Sequence, residues 1–164
     1  MYTPIGEDNR LNMKRIFLAA VMASTGAFLA SAADHTLGIW KYVPEKSHGG
    51  NVASLMQTRE NAEGGIRVTV VGEITDGSKV NTEWVGRYDG KPVKMATSTL
   101  AWDMIAAKRI DANTVSEERT KTGGKFHSIS RFHVSADGKT MTVMTKGTGE
   151  TGESFTMSAV WERQ

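Results

Sequence analysis

Histidine is the side chain that titrates near neutrality, so proton transfer and metal binding are sought first at His35, His48, His127 and His133. No H-E-x-x-H or G-x-S-x-G pattern frames any of them. His127 and His133 stand six apart in a segment that reads as a strand. They therefore share a face about 20 Å apart, at roughly 3.3 Å per residue, beyond the reach of one metal ion. Haem ligation by one of them inside a barrel is the metal role left; otherwise both read as exposed strand residues. Ser128 and Ser130 flank a histidine only on paper, because neighbours on a strand point to opposite faces. A relay of Asp103, a histidine and a serine has the residue types without supporting spacing. The run Gly147-Thr148-Gly149-Glu150-Thr151-Gly152-Glu153-Ser154 satisfies G-x-G-x-x-G, but it carries Glu153 where a phosphate loop has lysine. A phosphate cradle needs positive charge and a helix N-terminus, so this acidic run between two strands reads as a turn. No catalytic set, metal site or cofactor site emerges, and the chain reads as non-enzymatic.

Aromatic residues carry the remaining signal. Trp40 and Tyr42 share one strand segment, Trp84 and Tyr88 another, and Trp102 lies on a further one. Their apolar bodies and polar tips suit the wall of a ligand cavity, and they suit a filled core equally well.

Composition narrows the partners. The chain has 164 residues, 20 Lys+Arg against 18 Asp+Glu, 17 Gly, 3 Pro and no Cys. A net charge of +2 leaves no basic reserve for a nucleic-acid backbone, and 23% charged residues is too few for a disordered chain. Without cysteine there is no disulfide framework, thiol nucleophile, thiolate metal site or lipidated anchor. Met13-Lys14-Arg15, the apolar run 16–29 and Ala30-Ser31-Ala32 form the three parts of a secretory signal. A membrane span needs roughly 20 apolar residues, and this run is shorter. Residues 1–32 are read as an N-terminal extension plus signal peptide, with translation starting at Met13 and cleavage after Ala32. Residues 33–164 are one domain, periplasmic or secreted, with no stable membrane anchor and no feature that sets an oligomeric state.

The elements that must position these residues are strands. Turn signals recur at Gly64-Gly65, Asp76-Gly77, Asp89-Gly90, Asp111-Ala112-Asn113, Gly123-Gly124, Asp137-Gly138 and across 147–152, mostly about twelve residues apart. Between them the pattern has period two. Ile66, Val68, Val70 and Ile74 oppose Arg67, Thr69, Glu73 and Thr75, while Val80, Thr82, Trp84, Gly86 and Tyr88 oppose Asn81, Glu83 and Arg87. Strands are expected at 37–43, 52–61, 66–75, 79–88, 94–109, 113–121, 125–135, 139–147 and 153–163, the fifth being long enough to be two. The face holding Val68, Val70, Trp84 and Tyr88 should point inward, because the opposite face would bring charges into the core. Consecutive hairpins leave exposed edges unless first and last strands meet. The expected fold is all-β, an up-and-down antiparallel barrel of about 8 to 10 strands, favoured over a two-sheet sandwich.

Leu37-Gly38-Ile39-Trp40-Lys41-Tyr42 places a Gly-x-Trp on the first strand and resembles the start of lipocalin and fatty-acid-binding-protein barrels. Ala159-Val160-Trp161-Glu162-Arg163 is similar to the last strand of a fatty-acid-binding protein. With Pro44-Glu45-Lys46-Ser47, the stretch from Lys108 to Thr114 and the stretch from Ser135 to Thr142, the chain also resembles a group of small secreted bacterial proteins of unassigned activity. The resemblance implies a lipocalin-like barrel with Gly38 and Trp40 as a structural plug at its closed end, beside a basic residue from a late strand. Arg131 and Arg163 are the candidates for that partner, and Arg131 is preferred. Unlike the families, this chain offers only 44–51 in place of a helical lid and has no C-terminal helix.

The expected function is binding of a small apolar or amphipathic molecule inside an exported barrel. The alternative is a solid barrel that serves as a protein-interaction or structural module of the cell envelope. Candidate cavity residues are Tyr42, Val68, Val70, Trp84, Tyr88, Trp102 and Arg131, with apolar walls for the ligand body and one basic or hydroxyl group for its polar end. Mass spectrometry of exported protein should find an N-terminus at Ala33; an intact apolar leader would contradict the signal reading.

Overall fold

The computed structural model describes residues 33–164. The signal segment, the Met13 start and the cleavage site after Ala32 lie outside the described residues. Eleven strands follow one another: β1 (Gly38–Tyr42), β2 (Val52–Ala62), β3 (Gly65–Ile74), β4 (Lys79–Gly86), β5 (Asp89–Lys94), β6 (Thr97–Ser98), β7 (Met104–Arg109), β8 (Thr114–Thr120), β9 (His127–Val134), β10 (Thr140–Thr148) and β11 (Ser154–Arg163). No α-helix occurs among the described residues; the β1–β2 connection holds only a 3-10 turn at Pro44–Lys46. Period-two patterning is what makes these segments strands. In β9 every second side chain is buried, Ser128, Ser130, Phe132 and Val134, and in β10 Met141, Val143 and Thr145 continue that face.

All pairings are antiparallel, in the order β5-β7-β8-β9-β10-β11-β1-β2-β3-β4-β6. The first and last long strands meet, Trp40 opposite Arg163. The two ends of the order, β5 and β6, are consecutive in the chain and separated only by Met95-Ala96. Met95 N–H donates to the Asp103 carbonyl at 2.9 Å and Ala96 N–H to the Glu83 carbonyl at 2.8 Å, so the chain passes from the β7 wall to the β4 wall at this point. The sheet thus curls into a barrel-like form whose two end strands, β5 and β6, are joined through the chain rather than by hydrogen bonds to each other. The stretch 94–109, whose length left one strand or two open, is divided because its start changes partner from β7 to β4 and 99–103 then loops back to β7.

One end is plugged. Trp40 has no exposed surface and its indole N–H donates to the Thr36 carbonyl at 2.9 Å. Thr36 is held in turn, its N–H and hydroxyl both donating to Asp34 Oδ1 at 3.0 and 2.6 Å. The Arg163 guanidinium lies 4.2 Å over the Trp40 ring and donates to the carbonyls of His35 and Leu37, each at 2.7 Å, and of Gly138 at 2.6 Å. Gly38 makes this possible. Its φ is +130°, and a Cβ there would lie 2.3 Å from Arg163 Nη1. Arg131, the preferred partner of Trp40, is exposed instead. It sits on the outward phase of β9 with His127 and Ile129, whereas Arg163 extends from the strand paired to β1.

The core forms two clusters. Trp40, Tyr42, Val115, Phe132, Val134, Met141, Val143 and Trp161 make one, and Ile66, Val68, Trp84, Met95, Ile105 and Ala107 the other. Val70 and Tyr88 pack against both. Replacing Trp40 by Ala removes the largest fully buried side chain and leaves Arg163 without its platform. Urea unfolding should show a loss of about 3–5 kcal/mol, a large share of the roughly 5–15 kcal/mol holding a typical domain; a variant as stable as the parent would refute the plug.

Candidate functional site: a half-open interior with a buried charge triad

At the end opposite Trp40, the connections 43–51, 75–78, 99–103, 121–126 and 149–153 surround a cavity of about 260 Å³. Its wall takes residues from β1, β2, β3, β4, β7, β8, β9, β10 and β11. Tyr42, Val68, Val70, Trp84 and Trp102, five of the residues expected there, line it. Val68 and Trp84 are buried, while Arg67 and Arg87 are exposed, so the inward face of β3 and β4 is the apolar one. Tyr88 does not reach the cavity. Its hydroxyl lies 3.3 Å from Thr36 Oγ1 and accepts from Arg59 Nη2 at 3.4 Å, and Arg109 stacks 4.5 Å over its ring. Arg131 faces solvent and takes no part. The polar component is supplied by residues of β2 and β8.

Arg59 on β2 and Glu117 on β8 stand on opposite walls, five steps apart along the sheet. Their side chains meet inside it. Arg59 Nη1 donates to Glu117 Oε1 at 2.9 Å, with side chains 0% and 2% exposed. Arg119, two residues on and therefore on the same face of β8, donates from Nη2 to Glu117 Oε2 at 2.8 Å and from Nη1 to Ser130 Oγ at 2.9 Å. Ser130 also lies 2.7 Å from Thr145 Oγ1, which carries the network on to β10. The guanidinium groups are further seated on aromatic rings. Arg59 lies 5.0 Å from the Phe132 centroid, and Arg119 lies 5.1 Å from Trp102 and 5.6 Å from Phe132.

Burial alone would push the Glu117 carboxyl up, but the charges and hydrogen bonds of Arg59 and Arg119 outweigh it and hold Glu117 below its ordinary value. Asp34 behaves alike at the plugged end. Burial raises it, and hydrogen bonds from Thr36 and Arg109 together bring it below the usual carboxylate range. The signal for the triad lay in the β8 sequence, where Val115, Glu117 and Arg119 alternate with Thr114, Ser116 and Glu118. A face that begins with a buried valine and continues with opposite charges two apart suggests a paired interior.

Above the triad the wall is mainly apolar. Trp102 stacks on Phe126 at 5.5 Å and Phe126 lies 6.0 Å from Phe155, making an aromatic column at the rim. Glu150 fixes that rim from the β10–β11 turn, its carboxylate accepting from the N–H groups of Lys125 and Phe126. Three buried polar atoms on lining residues have no protein partner: Gln57 Oε1, Trp102 Nε1 and Trp161 Nε1. The 147–152 glycine run is the β10–β11 turn, closed by Gly149 N–H to the Glu153 carbonyl at 2.9 Å. His127 and His133 are exposed, the first hydrogen-bonded to Glu118 and the second to Thr114 Oγ1. Ser128 and Ser130 are buried on the other face, and no Ser–His pair forms. No cluster of three or more metal-ligating side chains is found among the described residues. The sequence matches no protein-family model and no curated protein, so the fold and its interior carry the functional argument.

Glu117→Gln should lower stability at neutral pH by about 3–5 kcal/mol, because two guanidinium groups lose their counter-charge inside the barrel. The folded carboxyl titrates below its ordinary value of 4.5, so its contribution is complete above that pH and is lost as pH falls through the lower folded value. Urea unfolding followed from neutrality into acid should therefore show the gap between parent and variant narrowing below about pH 4.5. A gap that stays constant would mean that Glu117 is not the anion holding the triad together.

Proposed function

We propose that this protein is an exported binding protein that takes up a small apolar or amphipathic molecule in the open half of its barrel. The observation that carries this reading is the cavity of about 260 Å³, with aromatic walls above a charged floor. Ligand sites are concave and mostly apolar, with a few placed polar groups, and this interior has that make-up in a volume just below the usual range of roughly 300–1,000 Å³. The signal-like segment before Ala33 supports export, and the Gly-x-Trp resemblance to lipocalin barrels supports an interior site. The ligand's apolar body would lie against Val68, Val70, Trp84 and Trp161, and its polar end would reach the floor. The cavity weighs against the alternative of a solid interaction module, which needs its upper half filled. The reading requires no cofactor and no reaction.

A neutral solvatochromic dye small enough for this volume, such as 1-aminonaphthalene, should bind saturably, with one dye per chain and a blue-shifted emission. Val70→Trp, which puts bulk into the cavity from β3, should abolish that signal while the protein still unfolds cooperatively. Equal dye binding by the filled variant would place the dye on the outer surface and remove the support for an interior site.

A further inference from the structure

The floor of the cavity has an unbalanced charge, and it identifies the ligand's polar end. Glu117 is the one carboxylate in the triad, and both its oxygens are already taken, Oε1 by Arg59 and Oε2 by Arg119. Two guanidinium groups against one carboxylate leave one positive charge uncompensated. Arg59 is sealed, whereas the Arg119 side chain is 16% exposed and lines the cavity, so the excess is presented there. Nearby carboxylates are committed elsewhere. Glu118 faces outward to His127, and Asp103 accepts from Thr122 N–H and pairs with Lys121. Only two of the five N–H donors on Arg119 are engaged, and its planar fork matches a carboxylate or sulfonate better than any neutral group.

The shape of the cavity constrains the rest of the molecule. Its volume equals roughly nine waters at about 30 Å³ each, which fits a body on the order of a dozen non-hydrogen atoms rather than a long acyl chain. The surfaces next to Arg119 are flat: the Trp102 and Phe132 rings beneath the guanidinium and the Trp102–Phe126 stack leading to the rim. We infer that the ligand is a small aromatic acid, its anionic group on Arg119 and its planar body against the aromatic wall. This rests on the interior-binding reading above and adds the charge and shape of what is bound.

Calorimetric titration of the parent protein near neutral pH with 2-naphthoate, 2-naphthylmethanol, 2-naphthylmethylammonium and dodecanoate tests it. The naphthoate should bind about tenfold or more tighter than the alcohol, a ratio suited to one hydrogen-bonded charge, with the ammonium compound weakest. Arg119→Gln should bring the acid-to-alcohol ratio close to one; should that variant fail to melt cooperatively, the parent's ranking decides alone. Alcohol binding equal to naphthoate overturns the anionic site while leaving interior binding standing. Dodecanoate binding more tightly than naphthoate overturns the planar body. Binding of none of the four, with no 1-aminonaphthalene signal, overturns both readings together.

Discussion

A carboxylate inside a closed sheet is tolerable only when something opposite neutralises it, and that requirement organises this interior. Glu117 projects from one wall and meets Arg59 from the wall diametrically across, so the two strands are held at a fixed separation and in one register. A slip of either strand by one residue would turn its charge outward and leave the other buried alone, at a cost of several kcal/mol. Arg119 adds a second hydrogen bond to the same carboxylate and links it through Ser130 to β10. The two apolar clusters flank this bridge and connect through Val70 and Tyr88.

The bridge also separates two kinds of interior. Toward Trp40 the barrel is packed and every element of the plug is held by another, with Asp34 fixing Thr36, Thr36 accepting from Trp40, and Arg163 covering the indole. Toward the aromatic rim the same strands are kept apart and space remains. Packing density is thus traded along the barrel axis: the closed half supplies rigidity, and the open half keeps the space.

Much of this architecture was legible in the sequence. Strict alternation marked β3 and β4 and oriented Val68 and Trp84, because a half-buried strand must separate its faces. The plug was legible in Gly38 and Trp40, where a missing side chain allows a close approach beside a large one. Two features were not. The division of 94–109 depends on a change of hydrogen-bonding partner at Met95-Ala96, a non-local event without local turn chemistry. Choosing Arg131 over Arg163 depended on strand phase, and the phase of β9 is obscured because its inward face opens with Ser128 and Ser130 while Ile129 points out. The charge triad escaped for a related reason: periodicity ranks faces by apolarity, and here an inward face carries ions that only residues on another strand can neutralise.

The arginine that covers Trp40 has a kinetic meaning as well. Its hydrogen bonds join Arg163 to carbonyls 126 and 128 residues earlier in the chain, and β1 completes its pairing only against β11. Contacts of such long sequence separation form late, because the chain entropy of closing so large a loop must be met before they stabilise anything. During vectorial synthesis the plug cannot assemble until β11 has emerged, so the nascent chain carries a first strand paired to β2 on one side and open on the other. A fold that locks only when its last strand arrives keeps the chain open for as long as it is being made, a timing that suits the export proposed above.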